Sequence, residues 1–282
     1  MRLYGIPYMG SKNTIAEEII NFLPNGRRFV DLFGGGFAMS HCAYLSGKYE
    51  QVYYNEINPL VVDLIRKAIN GDYNYSKFKP EFITREKFFE LKDKDGYVKY
   101  IWSFGNKGDA YIFGKDSEET KKILHNAVVF NDIDSKIYDL LPDFNIKSSD
   151  IVQRRKSVCQ QLKRAKNRCD LQQLERLERL ERLELNCGSY IDYEYKKGDV
   201  VYCDIPYENT EKYCKEGFNH KEFYDWAATR PFTVYFSSYE ISDSRFFVVW
   251  EKVKLTTLSS TSNNTKNIER IYCNRNIKTT LF

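Results

Sequence analysis

The 282 residues carry 43 Lys and Arg against 39 Asp and Glu, a formal net charge of +4. That excess is too small to signal a polyanion partner by itself, so its distribution matters more. Aromatic residues at 16% exclude a disordered chain, and seven scattered cysteines with three histidines exclude a disulfide framework and a structural zinc site. No apolar run approaches a membrane span and no signal peptide stands at the N-terminus. The expectation is a cytoplasmic protein of one large domain or two small ones, without metal or membrane.

The chain opens on Tyr4-Gly5-Ile6-Pro7-Tyr8-Met9-Gly10-Ser11-Lys12, a Gly- and Pro-marked loop. Ser11 or Asn13 is the expected cap of a helix through Ile15, Ile19, Ile20 and Leu23. Lys12, at the mouth of that helix, would meet a carboxylate ligand; its alternative is a solvated surface lysine. Arg28 to Phe33 reads as a short apolar strand, followed by Gly34-Gly35-Gly36 and a helix from about Ala38 to Ser46 with Gly47 as its C′ residue. Strand, glycine turn and helix open a nucleotide-binding βαβ unit, in which the glycines let the backbone approach a ligand. The spacing is not Gly-x-Gly-x-x-Gly, which counts against a nicotinamide-dependent oxidoreductase.

A second strand, Gln51 to Ile57, brings Glu56 about 20 residues beyond the glycines, where such folds place the carboxylate for ribose hydroxyls. The alternative is a carboxylate paired with a surface lysine. Asn58 and Pro59 start a helix striped by Leu60, Val61, Leu64, Ile65 and Ala68 and ended by Gly71.

Residues 74–185 break this rhythm and are more polar and mostly helical in pattern. Thr84 and Ser117 each start a helix. Between them, Trp102 to Lys115 surrounds a Gly-Asn-Lys-Gly tip with aromatics and reads as a hairpin or ordered loop. Asn106 and Lys107 at the tip, with exposed aromatics and Lys115, would suit insertion into nucleic acid; inward-packed aromatics are the alternative. From Ile151 to Cys169 there is no acid, while Arg154, Arg155, Lys156, Lys163, Arg164, Lys166 and Arg168 crowd together as a footprint for phosphates. Leu171, Leu174, Leu177, Leu180 and Leu183 then recur every third residue. On an α-helix that spacing slips back about 60° per step, so the leucines wind round the axis. A helical connector with Glu175–Arg179 and Glu178–Arg182 pairs is expected.

The βα rhythm resumes at Leu185. Lys197-Gly198-Asp199 leads into the apolar run Val200-Val201-Tyr202-Cys203, a buried strand that ends at Asp204-Ile205-Pro206-Tyr207. Pro206 fixes its own φ and extends Ile205, so the Asp204 carboxylate, the Ile205 carbonyl and the Tyr207 ring stand in fixed relation. Two acceptors beside an aromatic face suit a planar amine such as that of a nucleobase; an ordinary strand exit with a capping Asp is the alternative. His220 to Ala227 forms a helix, Phe232 to Ser238 a strand, and 246–255 with 267–274 a closing antiparallel pair.

In combination these motifs resemble the Dam-type DNA adenine-N6 methyltransferases. Pro7-Tyr8-Met9-Gly10-Ser11-Lys12 resembles the family's N-terminal motif, and Asp31-Leu32-Phe33-Gly34-Gly35-Gly36-Phe37 its first cofactor motif. Asn55-Glu56-Ile57-Asn58 resembles the acidic ribose motif, and Asp204-Ile205-Pro206-Tyr207 the catalytic Asp-Pro-Pro-Tyr box, with Ile205 in place of the first proline. Residues 104–114 match the family's DNA-reading hairpin only loosely.

The resemblance implies a Rossmann-like fold, a mixed seven-stranded sheet with helices on both faces, formed by 1–73 and 186–282. Residues 74–185 would be an inserted helical DNA-recognition region. It further implies S-adenosylmethionine as methyl donor, an adenine flipped from double-stranded DNA as acceptor, and a monomer or weak dimer. Asp204 and Ile205 would hold the adenine amine and Tyr207 would stack on the base. Tyr8, Lys12, Asp31, Phe33, Gly34, Gly35, Gly36, Glu56, Ser189, Tyr190 and Asp204 would line the cofactor. Methylation of another planar amine, such as an RNA adenine, and a silent DNA-binding homologue stand as alternatives, and a restriction–modification setting is one of several left open.

Overall fold

Strands buried on both faces read as unbroken apolar runs, and the centre of this protein is built from three of them. In the computed structural model, which describes residues 3–74, 78–161, 170–208, 217–255 and 266–277, the order is α1 (Ala16–Phe22), β1 (Arg28–Asp31), α2 (Ala38–Ser46), β2 (Gln51–Glu56) and α3 (Pro59–Ile69). Six more helices follow: α4 (Arg85–Leu91), α5 (Gly96–Ile101), α6 (Glu118–Val129), α7 (Ile137–Leu140), α8 (Ile151–Gln161) and α9 (Asp170–Glu175). The chain then returns to the sheet through β3 (Leu183–Cys187), β4 (Asp199–Cys203), α10 (His220–Thr229), β5 (Val234–Ser238), β6 (Phe247–Leu255) and β7 (Lys266–Cys273).

The seven strands form one mixed sheet in the order β3-β2-β1-β4-β5-β7-β6. The first five run parallel. β7 pairs antiparallel with both β5 and β6, as the closing pair expected from the sequence. Strand order reverses between β1 and β4, and in open α/β sheets ligands bind outside the carboxyl ends at such a reversal. Asp31 ends β1 and Asp204 follows β4, so both stand there.

Period-two alternation gives β1 two different faces. Val30 and Leu32 join Val201, Cys203, Val234 and Phe236 in a core covered by Phe223, Tyr224 and Trp226 of α10. Phe29 and Asp31 face the other way: Phe29 packs on Tyr202 and Tyr49, and Asp31 meets Ser40 of α2. Helices therefore cover both faces.

The chain divides into two compact units, Lys12–Pro59 with Glu181–Phe282, and Met1–Ser11 with Leu60–Leu180. Their boundaries fall at 59/60 and 180/181, earlier than the expected 73/74 and 185/186, and residues 1–11 group with the intervening segment. The first unit holds the whole sheet. The second is helical, with a small core of Ile123, Leu124, Ala127, Ile137, Phe144 and Val158.

Capping signals placed some helix ends. Thr84 Oγ1 accepts from Lys87 N at 3.3 Å. Gly47 and Gly71 adopt the left-handed conformation that ends α2 and α3. Two expectations fail. α1 starts after Ile15, without a side-chain cap, rather than from Ser11 or Asn13. The leucine repeat is not a helical connector: α9 stops at Glu175, Arg179 turns left-handed at φ 65°, and Leu183 already lies in β3. Leu174 and Leu177 are fully buried, so core packing rather than helical periodicity places them. Glu178 accepts from Asn74 at 2.8 Å, and Arg182 packs over the Tyr44 ring, so that pair does not form.

Candidate active site

The exit of β4 is held from several sides. Ile205 buries its side chain in the core beneath α10. The His220 ring, at the first residue of α10, donates from Nε2 to the Pro206 carbonyl at 2.7 Å. Asn219 caps that helix by accepting from Glu222 N at 3.1 Å. Glu208 accepts from the Tyr224 hydroxyl at 2.6 Å and from Ser242 Oγ at 3.1 Å. Burial opposes the charge on Glu208, but these bonds hold its carboxyl below the usual carboxylate range. The turn is thus fixed before any substrate arrives.

Asp204 is one-fifth exposed and strongly engaged on one oxygen only. Its Oδ1 accepts from Lys12 Nζ at 2.5 Å and from Ser237 Oγ at 2.9 Å. Ser237 stands on buried β5 and shares a 2.9 Å hydrogen bond with the Tyr202 hydroxyl. Among the described residues, none donates to Asp204 Oδ2 or to the Ile205 carbonyl, so these two adjacent acceptors at the switch point have no hydrogen-bond donor there. Lys12 is 5% exposed rather than solvated, and the carboxylate it meets is the chain's own.

Tyr207 aims its hydroxyl at Glu269 of β7, to which it donates. Its ring meets Tyr239 edge-on at 4.7 Å, and Lys12 Nζ lies 4.8 Å from the ring centroid. Glu269, Ser237 and His220 are contacts that motif reading passed over. An acid in the buried register of β7 was the one legible signal among them.

The cofactor-side candidates cluster at the ends of β1, β2 and β3. Glu56 accepts from Gly35 N on one oxygen and Asn58 N on the other, both at 2.9 Å. Burial still pushes its carboxyl up. Asn55 ties the strand ends together, donating to Leu32 O at 3.1 Å and Gly188 O at 3.0 Å. Asp31 is almost fully buried. Its Oδ2 accepts from Ser40 at 2.8 Å, but among the described residues its Oδ1 has no hydrogen-bond partner. Burial raises its carboxyl to about 7, with the Asp204 and Glu56 charges adding to the effect.

Gly34 has a packing reason of its own: a side chain there would strike the Tyr54 ring at 2.1 Å. Gly35 uses a left-handed φ of 44° and accepts from the Tyr54 hydroxyl at 2.8 Å; Gly36 completes the turn. Phe33, partly buried, tilts on Tyr190 at 5.0 Å and meets Phe218 edge-on at 5.6 Å. Ser189 caps the short turn carrying Tyr190, accepting from Ile191 N at 3.3 Å.

A family model described as D12 class N6 adenine-specific DNA methyltransferase matches residues 8–278. The chain belongs to this family. It is a DNA methyltransferase acting on adenine N6, and nothing in the match supports an RNA-directed enzyme or a silent homologue.

Methyltransferases of this family generally use S-adenosylmethionine. The residues present fit such a group: the Asp31 oxygen without a partner among the described residues, when ionised, suits an ammonium, and Phe33 offers an aromatic wall. Among the described residues, no group of metal-ligating side chains occurs, and no helix is long and apolar enough to cross a membrane.

The remaining candidates lie in the helical unit of the methyltransferase. Tyr8 tilts on Tyr100 at 5.2 Å. The aromatic tip divides. Trp102 and Tyr111 are buried, with only a single bridge between Ser103 and Tyr111, while Phe104 is 69% exposed. Lys107 is exposed, but Asn106 turns inward to donate to Tyr100 O at 2.8 Å.

Arg154 is not the phosphate contact expected of it. It is 5% exposed, and its guanidinium donates to Val128 O, Val129 O and Ser149 O at 2.5, 2.9 and 2.6 Å. It satisfies the last carbonyls of α6, a structural duty. On the same helix Arg155 is partly buried and Lys156 is exposed. Lys163 and Arg164 lie outside the described residues.

Proposed function

We propose that the open pair, Asp204 Oδ2 and the Ile205 carbonyl, accepts the two N6–H groups of a flipped adenine. The lone pair of that amine is conjugated with the ring and is a poor nucleophile. Two acceptors facing the hydrogens draw the nitrogen towards a pyramidal geometry and release the lone pair. Lys12 and Ser237 hold the carboxylate by its other oxygen, so it offers a fixed acceptor rather than a rotating one. Tyr207 supplies the face on which the base rests and offsets part of its unstacking.

S-adenosylmethionine, when bound, supplies the electrophilic methyl group. In this reading Asp31 holds the ammonium, Glu56 the ribose hydroxyls, and Phe33 with Tyr190 the apolar side of the cleft. Ser189, Gly35 and Gly36 shape its floor. Positioning and electrostatics carry the rate, with no covalent intermediate on the protein. In the helical unit, Phe104, Lys107, Arg155 and Lys156 are the proposed DNA contacts, and the enzyme acts as a monomer or weak dimer on double-stranded DNA.

The observation that carries this reading is the pair of open acceptors at the β1/β4 reversal, beside the orphaned Asp31 oxygen. Incubation with methyl-labelled S-adenosylmethionine and duplex DNA, followed by nucleoside analysis, tests it. Label in N6-methyladenine is the expected result, and label in cytosine or in protein alone would contradict it.

A further inference from the structure

Glu269 is 1% exposed and occupies the same register of β7 as the fully buried Ile271. An acid in that apolar slot is costly to bury, and an ion pair there gives little stability over an apolar side chain. Its partners are informative. Tyr207 donates its phenol hydrogen to Glu269 Oε1, and Lys12 Nζ stands 3.8 Å from the same oxygen. The Lys12 ammonium also lies 4.8 Å from the Tyr207 ring centroid and bonds Asp204. One carboxylate thus grips both groups that flank the Asp204 turn.

We propose that Glu269 is a positioning residue for methyl transfer. By tethering the far end of Tyr207, it fixes the plane of the ring on which the base rests. By neutralising Lys12, it keeps the ammonium on Asp204 Oδ1 and leaves Oδ2 open. Glu269 touches neither base nor methyl group. The inference rests on the reading of Asp204 and Tyr207 given above.

Steady-state kinetics of the full chain on duplex DNA test it, using Glu269→Gln, Tyr207→Phe and the double variant. Glu269→Gln should lower kcat by ~10- to 100-fold, the range for losing a buried charged hydrogen bond. KM for S-adenosylmethionine and the thermal midpoint should stay close to the parent. The double variant should be no worse than the poorer single, because both act on the same Tyr207–Glu269 hydrogen bond. A normal kcat in Glu269→Gln, or losses that multiply in the double, would overturn the inference. So would a kcat loss that only follows a fall in thermal midpoint. Should Glu269→Gln fail to fold, Tyr207→Phe decides: it removes one hydroxyl, and an unchanged kcat overturns the proposal. Asp204→Ala serves as the separating control. If it methylates normally, the site reading itself is wrong; if it is inactive while Glu269→Gln is normal, only the role of Glu269 falls.

Discussion

The ammonium of Lys12 sits 2.5 Å from Asp204 Oδ1, joining residues 192 positions apart in the chain. This ion pair ties a residue four positions ahead of α1 to the Asp204 turn and engages the Oδ1 side of its carboxylate. In the proposed reading it leaves Oδ2 for the substrate. Lys12→Met should leave Asp204 and Glu269 charged without their shared counter-ion. Because Asp204 is partly exposed, the expected cost is about 3 kcal/mol, the low end for breaking a buried pair. Urea unfolding of the two proteins measures it, and methyl transfer should fall in parallel.

Asp31, as the proposed ammonium contact, should make cofactor affinity depend on pH. Its folded carboxyl is raised to about 7 from an ordinary 3.8. The folded state therefore holds a proton that the unfolded state has released, and the free protein loses stability as pH rises through that interval. An ammonium bound at Oδ1 would favour the ionised form. S-adenosylmethionine should then bind more tightly as pH rises towards 7, releasing a proton, and level off above it. Calorimetry in buffers of different ionisation enthalpy would detect the proton. Asp31→Asn should weaken binding and abolish the pH dependence.

Arg154 and Lys156 should behave oppositely although they are two residues apart. Arg154→Ala removes hydrogen bonds to four carbonyls and should destabilise the helical unit by about 3 kcal/mol. Lys156→Glu should leave stability within about 0.5 kcal/mol, as expected for an exposed site. Only the latter should flatten the dependence of DNA affinity on salt, by about one unit of slope for each phosphate that is no longer neutralised. Filter binding across a salt series separates the two.

Phe104 is a large apolar side chain held out into solvent on a fixed turn. Phe104→Ala should weaken DNA binding by about tenfold while leaving unfolding unchanged, since a stacked aromatic contributes on the order of 1–3 kcal/mol. The same truncation at Trp102 should instead unfold the tip, because that ring packs on Phe82 and Phe113.

What the sequence displayed was mostly local. Glycines at 47 and 71 and the apolar runs of β1, β4 and β5 placed their elements closely, because turn chemistry and burial act over a few residues. The motif residues Lys12, Asp31, Glu56 and Asp204 were legible for the same reason. What remained hidden depends on distant partners. Arg154 reads as part of a basic helix, and only the fold aims it at the end of α6. Gly34 reads as ligand clearance, and only the fold adds the Tyr54 ring that a side chain there would strike. The three-residue leucine spacing reads as a helix until Leu174 and Leu177 are buried and the chain turns at Arg179. Ser237 and Glu269 carry no motif, so their bonds to the catalytic turn emerge only once β5 and β7 are beside β4.

The most direct measurement is paired on one variant, Asp204→Ala: methyl transfer to duplex DNA and equilibrium binding of S-adenosylmethionine. Transfer should be abolished while binding is at least partly retained, because the ammonium and ribose contacts are proposed on Asp31 and Glu56. Turnover at the parent rate would contradict the proposed role of Asp204.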